Sequence, residues 1–402
     1  MVYWEKVLIS LEEALKKIQL LNPKPKGVKK LFLMEALDQI LACDIVAKGN
    51  SPEFLTASMD GYALKFEDQK LGTLKVQKIL PAGTFNDQKV DKQKCIKTFT
   101  GSMITDGCDT LIPIENVTYE DGYIKIHKEV PRGFSVRKIG ENYKDGEVLI
   151  KKGSKIGYAE IGVMASLNIS QIEVFQKPSI GIIATGSEIV DLGEEITNPS
   201  QIRSSNHLTI EAMALQNGAT TNRYKITSDD KEDIKSQIID SLKNDDLIIT
   251  TGGVSVGDFD FVKDILKEMD VEYVLDKVAI KPGRHIKVVR VGKKYILALP
   301  GFPYSSTVTF MLFALPILWK LKGEQKSHEI LKAKMRSDYT KKTNFTEVVA
   351  CNVHIVNGEY QVDLENKRDG SSAILTNLLG SSGYIITNSY IKKGDMVNFI
   401  II

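Results

Sequence analysis

The chain has 402 residues, more than one hydrophobic core usually organises, which predicts roughly two to four domains. Hydrophobic residues make up 43% and charged residues 26% of the sequence, and 53 Lys and Arg against 51 Asp and Glu leave a net charge of +2. This balance is typical of a soluble globular protein and gives no reason to expect nucleic acid as the main partner.

Neither a membrane anchor nor a metal-binding cysteine pattern is expected. No uncharged run reaches the roughly 20 residues that span a bilayer, and residues 1–13 lack the apolar core of a signal peptide. The four cysteines form no CxxC pair and the five histidines no HxxxH spacing, which argues against zinc and disulfides. We therefore expect a cytoplasmic protein without membrane contact, in which carboxylates and ligand phosphates would hold any magnesium.

The N-terminal part of the chain predicts one domain inserted into another. Residues 7–20 and 156–168 have apolar side chains at helical spacing. Residues 46–145 instead show short alternating strands broken by Gly, Pro and Asp, which predicts a small β domain. The segments 1–45 and 146–177 would then form a split N-terminal helical domain around this insertion.

Two stretches of the inserted β domain are candidate functional motifs. One is Ser-Met-Asp-Gly-Tyr-Ala at 58–63, and the other runs from Thr100 to Asp109. Asp-Gly also marks tight turns, so a turn is the alternative interpretation of Asp60 when the motif stands alone. The same alternative applies to Thr100 and Asp109.

The rest of the chain predicts a central doubly wound α/β domain and a C-terminal β domain. Strand and helix patterns alternate regularly over residues 178–323. Residues 324–402 return to strands, with Asn357 and Gly358 as a hairpin turn, which predicts a small β-barrel-like domain. The fold class is therefore a multidomain combination of α/β and β domains.

A glycine-rich turn at 250–260 is the centre of the predicted α/β domain. It reads Thr-Thr-Gly-Gly-Val-Ser-Val-Gly-Asp-Phe-Asp, follows the buried-strand pattern at 246–249 and precedes a helical pattern at 261–266. Glycines let the backbone approach a ligand closely, and free N–H groups at a helix start favour a phosphate. Such turns also occur for packing alone, so this motif by itself does not distinguish ligand binding from packing.

Other unusual motifs of this domain also follow strands. They lie at 185–188, at Asp229 and at 300–306, and ligands of doubly wound domains bind beyond the carboxyl ends of the strands. If residues 278–280 are extended, Lys277 and Lys281 point to the same face and place two cations beside these carboxylates. A solvated charged face is the alternative for the two lysines.

Taken together, these features resemble the MoeA family of molybdopterin molybdenumtransferases. The resemblance is carried, in the same order over nearly the whole chain, by the motifs at 58–63, 185–188, 252–257, 281–283 and 299–303. It implies that molybdate replaces the adenylyl group of adenylylated molybdopterin, giving molybdenum cofactor and AMP with magnesium. It also implies an elongated homodimer, with each site between the α/β domain of one protomer and the β domain of the other. The upstream adenylyltransferase is a further expected partner.

The resemblance assigns roles to individual residues. Catalytic roles fall on Asp60, Thr100, Glu188, Asp229, Asp260, Lys277 and Lys281. Pterin or nucleotide contacts fall on Thr185, Gly186, Ser187, Gly252, Gly253, Ser255, Gly257, Pro282, Pro300, Gly301 and Ser371. Magnesium on the phosphates would be held by Glu188, Asp229 or Asp260, and the two lysines would offset the charge of the molybdate dianion.

Two positions depart from the family pattern. Asn142 stands where the family usually has aspartate, and Glu347 stands where its C-terminal domain usually has arginine. Molybdate recognition in that domain then needs another cation, for which Lys341, Lys342 and Arg368 are the candidates.

Two rival functions are weighed against the transferase. A non-catalytic pterin-binding or scaffold protein could use the same fold, although the acidic residues and lysines argue against it. A nicotinamide-dependent oxidoreductase would need GxGxxG after the first α/β strand, where Thr-Gly-Ser-Glu stands instead. No Ser-His-Asp or Cys-His pattern demands a nucleophile, so positioning and electrostatics are expected to supply most of the catalysis.

Overall fold

Two compact units make up the chain in this computed structural model, which describes residues 8–227, 229–254, 261–368, 371–380 and 382–402. The first unit comprises the described parts of Met1–Ala42, Gly153–Gly157 and Gln171–Ile402. The second comprises Cys43–Lys152 and Tyr158–Ser170. Each unit has its own sheets and buried core.

A six-stranded sheet lies at the centre of the first unit. In spatial order its strands are Thr220–Arg223, Ser179–Ala184, Leu247–Thr251, Lys294–Leu299, Lys287–Val291 and Glu272–Leu275. The first four run parallel, and the last two pair antiparallel at the edge. The carboxyl ends of the four parallel strands therefore meet at one edge of the sheet.

The central strands of this sheet are buried on both faces, because they are apolar at successive positions. Leu247 and Ile249 belong to one core cluster, and Ile248 between them belongs to another on the opposite face. The flanking helices are Leu11–Leu20, Asn206–Gln216, Lys231–Asn244, Phe261–Glu268 and a continuous helical stretch over 303–321. This arrangement confirms the predicted doubly wound α/β domain.

The last of these helical stretches is the most apolar. It consists of Pro303–Thr309, a π-helical turn Phe310–Ala314 and Leu315–Leu321. By length and composition it could cross a membrane, but 94% of its most apolar window is buried inside the protein. Burial of this kind is typical of the core helix of a globular domain.

A closed five-stranded barrel forms the C-terminal part of the first unit. Its strands are Leu331–Met335, Thr346–Val356, Glu359–Asp363, Ser382–Thr387 and Met396–Ile401, and pairing of the second with the fourth closes the ring. The short strand Ile280–Lys281 pairs in parallel with Thr346 and Glu347. Tyr304 also bonds the barrel, since its hydroxyl donates to the Val348 carbonyl at 3.0 Å and accepts from the Ala350 N–H at 2.7 Å.

The second unit is built on another six-stranded sheet. Its strands, in spatial order, are Thr110–Pro113, Gly61–Leu64, Lys94–Thr98, Thr73–Leu80, Tyr123–Ile126 and Val117–Glu120. The unit also contains two short antiparallel strand pairs, Ile45–Val46 with Val148–Ile150 and Thr56–Ala57 with Val136–Arg137. The strands predicted within 46–145 are therefore present.

The two-unit division differs in one respect from the predicted domains. Helix Tyr158–Ser166 groups with the second unit, although the sequence pattern places it in the split N-terminal domain. The antiparallel pair Val28–Phe32 with Gln171–Phe175 does join the two separated N-terminal segments. The finer division into four domains stays a prediction.

Candidate active site

A cavity of about 900 Å³ lies at the carboxyl ends of the parallel strands of the first unit. Its volume is within the roughly 300–1,000 Å³ typical of small-molecule sites. Predicted site residues line it, namely Thr185, Gly186, Glu188, Asp229, Gly252, Gly253, Lys281, Pro282, Pro300 and Gly301. The folding of consecutive strands into one parallel sheet is what brings these distant positions together.

The wall next to the central strand is a glycine turn with no room for side chains. Gly252 and Gly253 have φ angles of 97° and 66°, in the left-handed region. A Cβ on Gly252 would lie 2.7 Å from the Thr185 carbonyl oxygen, and one on Gly253 would lie 2.9 Å from Val262. The main chain itself therefore forms this wall of the cavity.

Two carboxylates line the same cavity. Asp229 accepts a hydrogen bond from the Ser187 N–H at 3.1 Å, and the Ser187 hydroxyl accepts one from the Asp229 N–H at 3.0 Å. This reciprocal pair fixes Asp229 beside the turn that carries Glu188. Within the described residues no group of three His, Cys, Asp or Glu side chains forms a metal site. The two carboxylates are hard oxygen donors of the kind magnesium prefers, and that donor chemistry fits the ion.

Lys281 brings a cation to the cavity, whereas Lys277 does not line it. The extended geometry that would align the two lysines is interrupted, because the backbone between them bends at Ala279. Only Ile280–Lys281 is a strand, held by its pairing with Thr346 and Glu347. Of the two lysines the structure therefore places Lys281 in the lining of this cavity, and the roles of both lysines stay predictions.

A second, smaller cavity of about 70 Å³ adjoins the first through shared lining by Lys281 and Pro282. Ser371, Lys342 and Arg368 also line it, but Lys341 does not. Its volume suits an ion and excludes a nucleotide. Four cationic side chains line this small cavity, and they come from three widely separated stretches of the sequence, at Lys281, at Lys342 and at Lys367 with Arg368.

Glu347 also faces this small cavity and is only 2% exposed. Its carboxylate accepts hydrogen bonds from the Tyr339 hydroxyl at 2.6 Å, the Thr343 hydroxyl at 2.8 Å and the Lys342 N–H at 3.1 Å. Burial acts to raise the pKa of Glu347, but these hydrogen bonds and the nearby Lys281 charge hold it below its usual value. Glu347 therefore remains ionised with its acceptor sites in use.

Comparisons with known proteins match nearly the whole chain. The family model described as "MoeA N-terminal region (domain I and II)" matches residues 9–168, and the "Probable molybdopterin binding domain" matches residues 181–320. A curated molybdopterin molybdenumtransferase of Staphylococcus epidermidis is 32% identical over 348 residues, covering 85% of this chain and 83% of that protein. A molybdopterin molybdenumtransferase of Staphylococcus aureus is also 32% identical, covering 79% of this chain and 77% of that protein.

The chain belongs to the MoeA family. A crystal structure of the molybdopterin biosynthesis MoeA protein from Pyrococcus horikoshii is similar over 98% of this chain and 100% of its own, with a TM-score of 0.83 and 27% identity. A second structure of the Pyrococcus protein has a TM-score of 0.82 and 25% identity, and the similarity covers 98% of this chain and 99% of that one. The predicted family, the doubly wound domain and the C-terminal barrel are thereby confirmed.

Two of the site residues predicted for a MoeA protein lie in the second unit. The Thr100 N–H and hydroxyl both donate to the same Asp60 oxygen, at 2.8 and 2.9 Å. These hydrogen bonds hold the pKa of Asp60 below its usual value. Asp60 is therefore an exposed, ionised carboxylate fixed by Thr100, and its place in a site stays a prediction.

Three further predicted residues, Ser255, Gly257 and Asp260, lie outside the described residues. Ser187 and Ser371 are described but do not line the large cavity. Ser187 instead holds Asp229, and Ser371 faces the small cavity. Their roles in ligand binding stay predictions.

The cavity of this MoeA protein also has lining residues that sequence reasoning missed. Ser204, Ser205 and Asn206 contribute from the start of helix Asn206–Gln216, and Arg284 and His285 from the turn after Lys281. A signal was present, because the sequence pattern predicts a helix over 205–217 and residues 204–206 lie at its start. The preceding short strand, Ile202–Arg203, is too brief for a sequence pattern to reveal.

Replacing Gly252 with alanine is expected to weaken nucleotide binding, measured as the Kd for AMP by calorimetry. The added Cβ must displace the Thr185 backbone oxygen and so distort the cavity wall. Gly358→Ala is the matched control, since Gly358 has a similar φ of 82° and a Cβ added there would meet nothing within 4 Å. Both variants carry a backbone strain of about 1–2 kcal/mol. Equal AMP affinity in the two would remove the glycine turn from the binding site.

Proposed function

We propose that this protein transfers molybdenum from molybdate to adenylylated molybdopterin and releases AMP, as a step of molybdenum cofactor biosynthesis. The observation that carries the proposal is the single cavity that combines the glycine turn, two carboxylates and Lys281. Family membership supports the same conclusion, because curated relatives are named molybdopterin molybdenumtransferases.

The large cavity suits the pterin nucleotide. The glycine turn at Gly252 and Gly253 lets a ligand approach the main chain closely, and the start of helix Asn206–Gln216 offers a positive helix end for phosphate groups. Glu188 and Asp229 would hold magnesium, which when bound neutralises phosphate charge and polarises the bond to be broken. Orientation and charge stabilisation are thus the main tasks of this chain's own residues.

The small cavity suits the molybdate substrate. Lys281, Lys342 and Arg368 offer cationic side chains at a volume of about 70 Å³. Glu347 adds one negative charge to this lining, so the cationic side chains there outnumber it and leave the small cavity with a net positive charge. Because Lys281 and Pro282 line both cavities, molybdate would lie next to the pterin nucleotide.

Release of AMP tests the function directly. Purified protein is incubated with adenylylated molybdopterin, molybdate and magnesium, and AMP and active molybdenum cofactor are quantified. Formation of both products in the complete mixture is expected. Binding of the pterin nucleotide without either product would contradict the transferase and favour a non-catalytic scaffold on the same fold.

We further propose that the protein acts as a homodimer in which Asp60 of one protomer serves the cavity of the other. Neither Asp60→Ala nor Glu188→Ala alone is expected to support turnover. Mixed dimers of the two variants should regain part of the wild-type AMP release, because one of the two sites is then intact. Mixed dimers, verified by two affinity tags, that stay as inactive as their parents would contradict the shared site.

A further inference from the structure

A serine, a histidine and an aspartate form a hydrogen-bonded chain at the wall of the large cavity. The Ser204 hydroxyl lies 2.6 Å from His207 Nδ1, and His207 Nε2 lies 3.0 Å from Asp191 Oδ1. Ser204 lines the cavity, whereas His207 is only 4% exposed behind it. The sequence did not indicate this arrangement, because Asp191 is separated from the other two residues by the short strand Ile202–Arg203.

The surroundings of Asp191 indicate the direction of the hydrogen bonds. Asp191 Oδ1 accepts a second bond from the Leu192 N–H at 2.7 Å, and an ionised carboxylate can only accept. His207 Nε2 therefore carries a proton toward Asp191. In a neutral ring this leaves Nδ1 as the acceptor for the Ser204 hydroxyl.

The same helix start is tied to the phosphate-binding wall. The Asn206 side-chain amide donates to the Gly301 carbonyl at 2.6 Å, and a Cβ on Gly301 would lie 3.6 Å from the Gly252 Cα. Asn206 thus joins the helix start that carries Ser204 to the segment packed against the glycine turn, and Ser204, Gly252 and Gly253 all line the same cavity. A hydroxyl backed by a histidine base is positioned where the phosphates of the nucleotide would bind.

We propose that Ser204, His207 and Asp191 form a proton relay that activates the water which splits the phosphoanhydride. This inference rests on the proposed function. The water oxygen forms a bond to one phosphorus of the anhydride, and the bond from that phosphorus to the bridging oxygen breaks. The water proton passes to Ser204 Oγ as the serine proton passes to His207 Nδ1. AMP and the pterin phosphate separate, and His207 then returns the proton to solvent.

Variants of the relay test its kinetic role. Ser204→Ala and His207→Gln are expected to slow AMP release about 10²-fold or more, the usual range for loss of a general base. Ser204→Thr keeps a hydroxyl and should recover most of the rate. The Kd for AMP should be unchanged in Ser204→Ala. Ser200→Ala, an exposed serine of the preceding loop, is the matched control.

The outcomes separate the relay from the proposed function. If the wild-type protein binds the substrates but releases no AMP, the proposed function fails and the relay with it. If the wild-type protein releases AMP and Ser204→Ala and His207→Gln do so equally fast, only the relay is overturned. A Ser204→Thr rate as low as that of Ser204→Ala would also overturn it, since a hydroxyl would then not suffice.

Nitrogen-15 NMR of histidine-labelled protein gives a readout that needs no substrate. His207 is assigned by the signal missing from His207→Gln. Near neutral pH we expect a proton on Nε2 and none on Nδ1, as a base facing Ser204 requires. A proton on Nδ1, in a neutral or a charged ring, would overturn the relay. A purely structural contact at the helix start would be compatible with a proton on either ring nitrogen.

Discussion

Lys281→Met is expected to slow AMP release by about 10²–10³-fold, the usual cost of removing one preorganised charge-stabilising group. Lys281 is the lysine that lines both the nucleotide cavity and the small cavity, so its charge acts on both substrates. Methionine keeps an unbranched side chain of similar length and removes the charge. The measurements are the rate of AMP release and the dependence of that rate on molybdate concentration.

Two lysine variants give this experiment its reference points. Lys332→Met removes a charge from an exposed position of barrel strand Leu331–Met335 and should behave as wild type. Lys277→Met should slow AMP release less than Lys281→Met does, because Lys277 does not line either cavity. Equal losses at Lys277 and Lys281 would contradict the assignment of the catalytic charge to Lys281.

Glu347→Gln is expected to lower the free energy of unfolding by about 1–3 kcal/mol at neutral pH, the usual cost of disrupting the hydrogen bonding of a buried polar group. The amide presents an NH₂ group where the carboxylate accepts bonds from Tyr339, Thr343 and Lys342. Urea unfolding measures the difference. Glu359→Gln, exposed on the neighbouring strand of the same barrel, should leave the free energy of unfolding unchanged.

The effect of Glu347→Gln should also depend on pH. Since the pKa of Glu347 is lower in the folded protein than in the unfolded chain, ionised Glu347 stabilises the fold above its unfolded pKa. This contribution is lost as the pH falls through the folded pKa. The stability gap between wild type and Glu347→Gln should therefore narrow in acid, and a gap that widens in acid would contradict a stabilising ionised Glu347.

The sequence by itself determined the family and the order of the α/β elements. Strand Leu247–Thr251 lies within two residues of the bounds predicted from the buried-strand pattern at 246–249, because that pattern is a continuous apolar run. The glycine turn was also predictable, since only glycine adopts the φ angles of 252 and 253 without strain.

Tertiary structure decided which side chains share a cavity. The sequence pattern predicts the same role for Lys277 and Lys281, but a backbone bend at Ala279 lies between them and only Lys281 lines the cavity. Such a bend depends on packing rather than on local pattern. In the sequence, Glu347 replaces the arginine that is usual in the family and so removes a cation. In the fold, hydrogen-bond donors surround Glu347, and Lys342 and Arg368 line the same cavity.

The Ser204, His207 and Asp191 chain shows the same limit of local sequence patterns. Its members are ordinary residues of a helix start and a loop, and no periodicity relates the aspartate to the other two. Their hydrogen bonds exist because the chain after strand Ile189–Val190 returns, and strand Ile202–Arg203 then pairs in parallel with Ile189–Val190. Sequence spacing specifies contacts within one helix or strand, whereas contacts between elements are fixed only when the core packs.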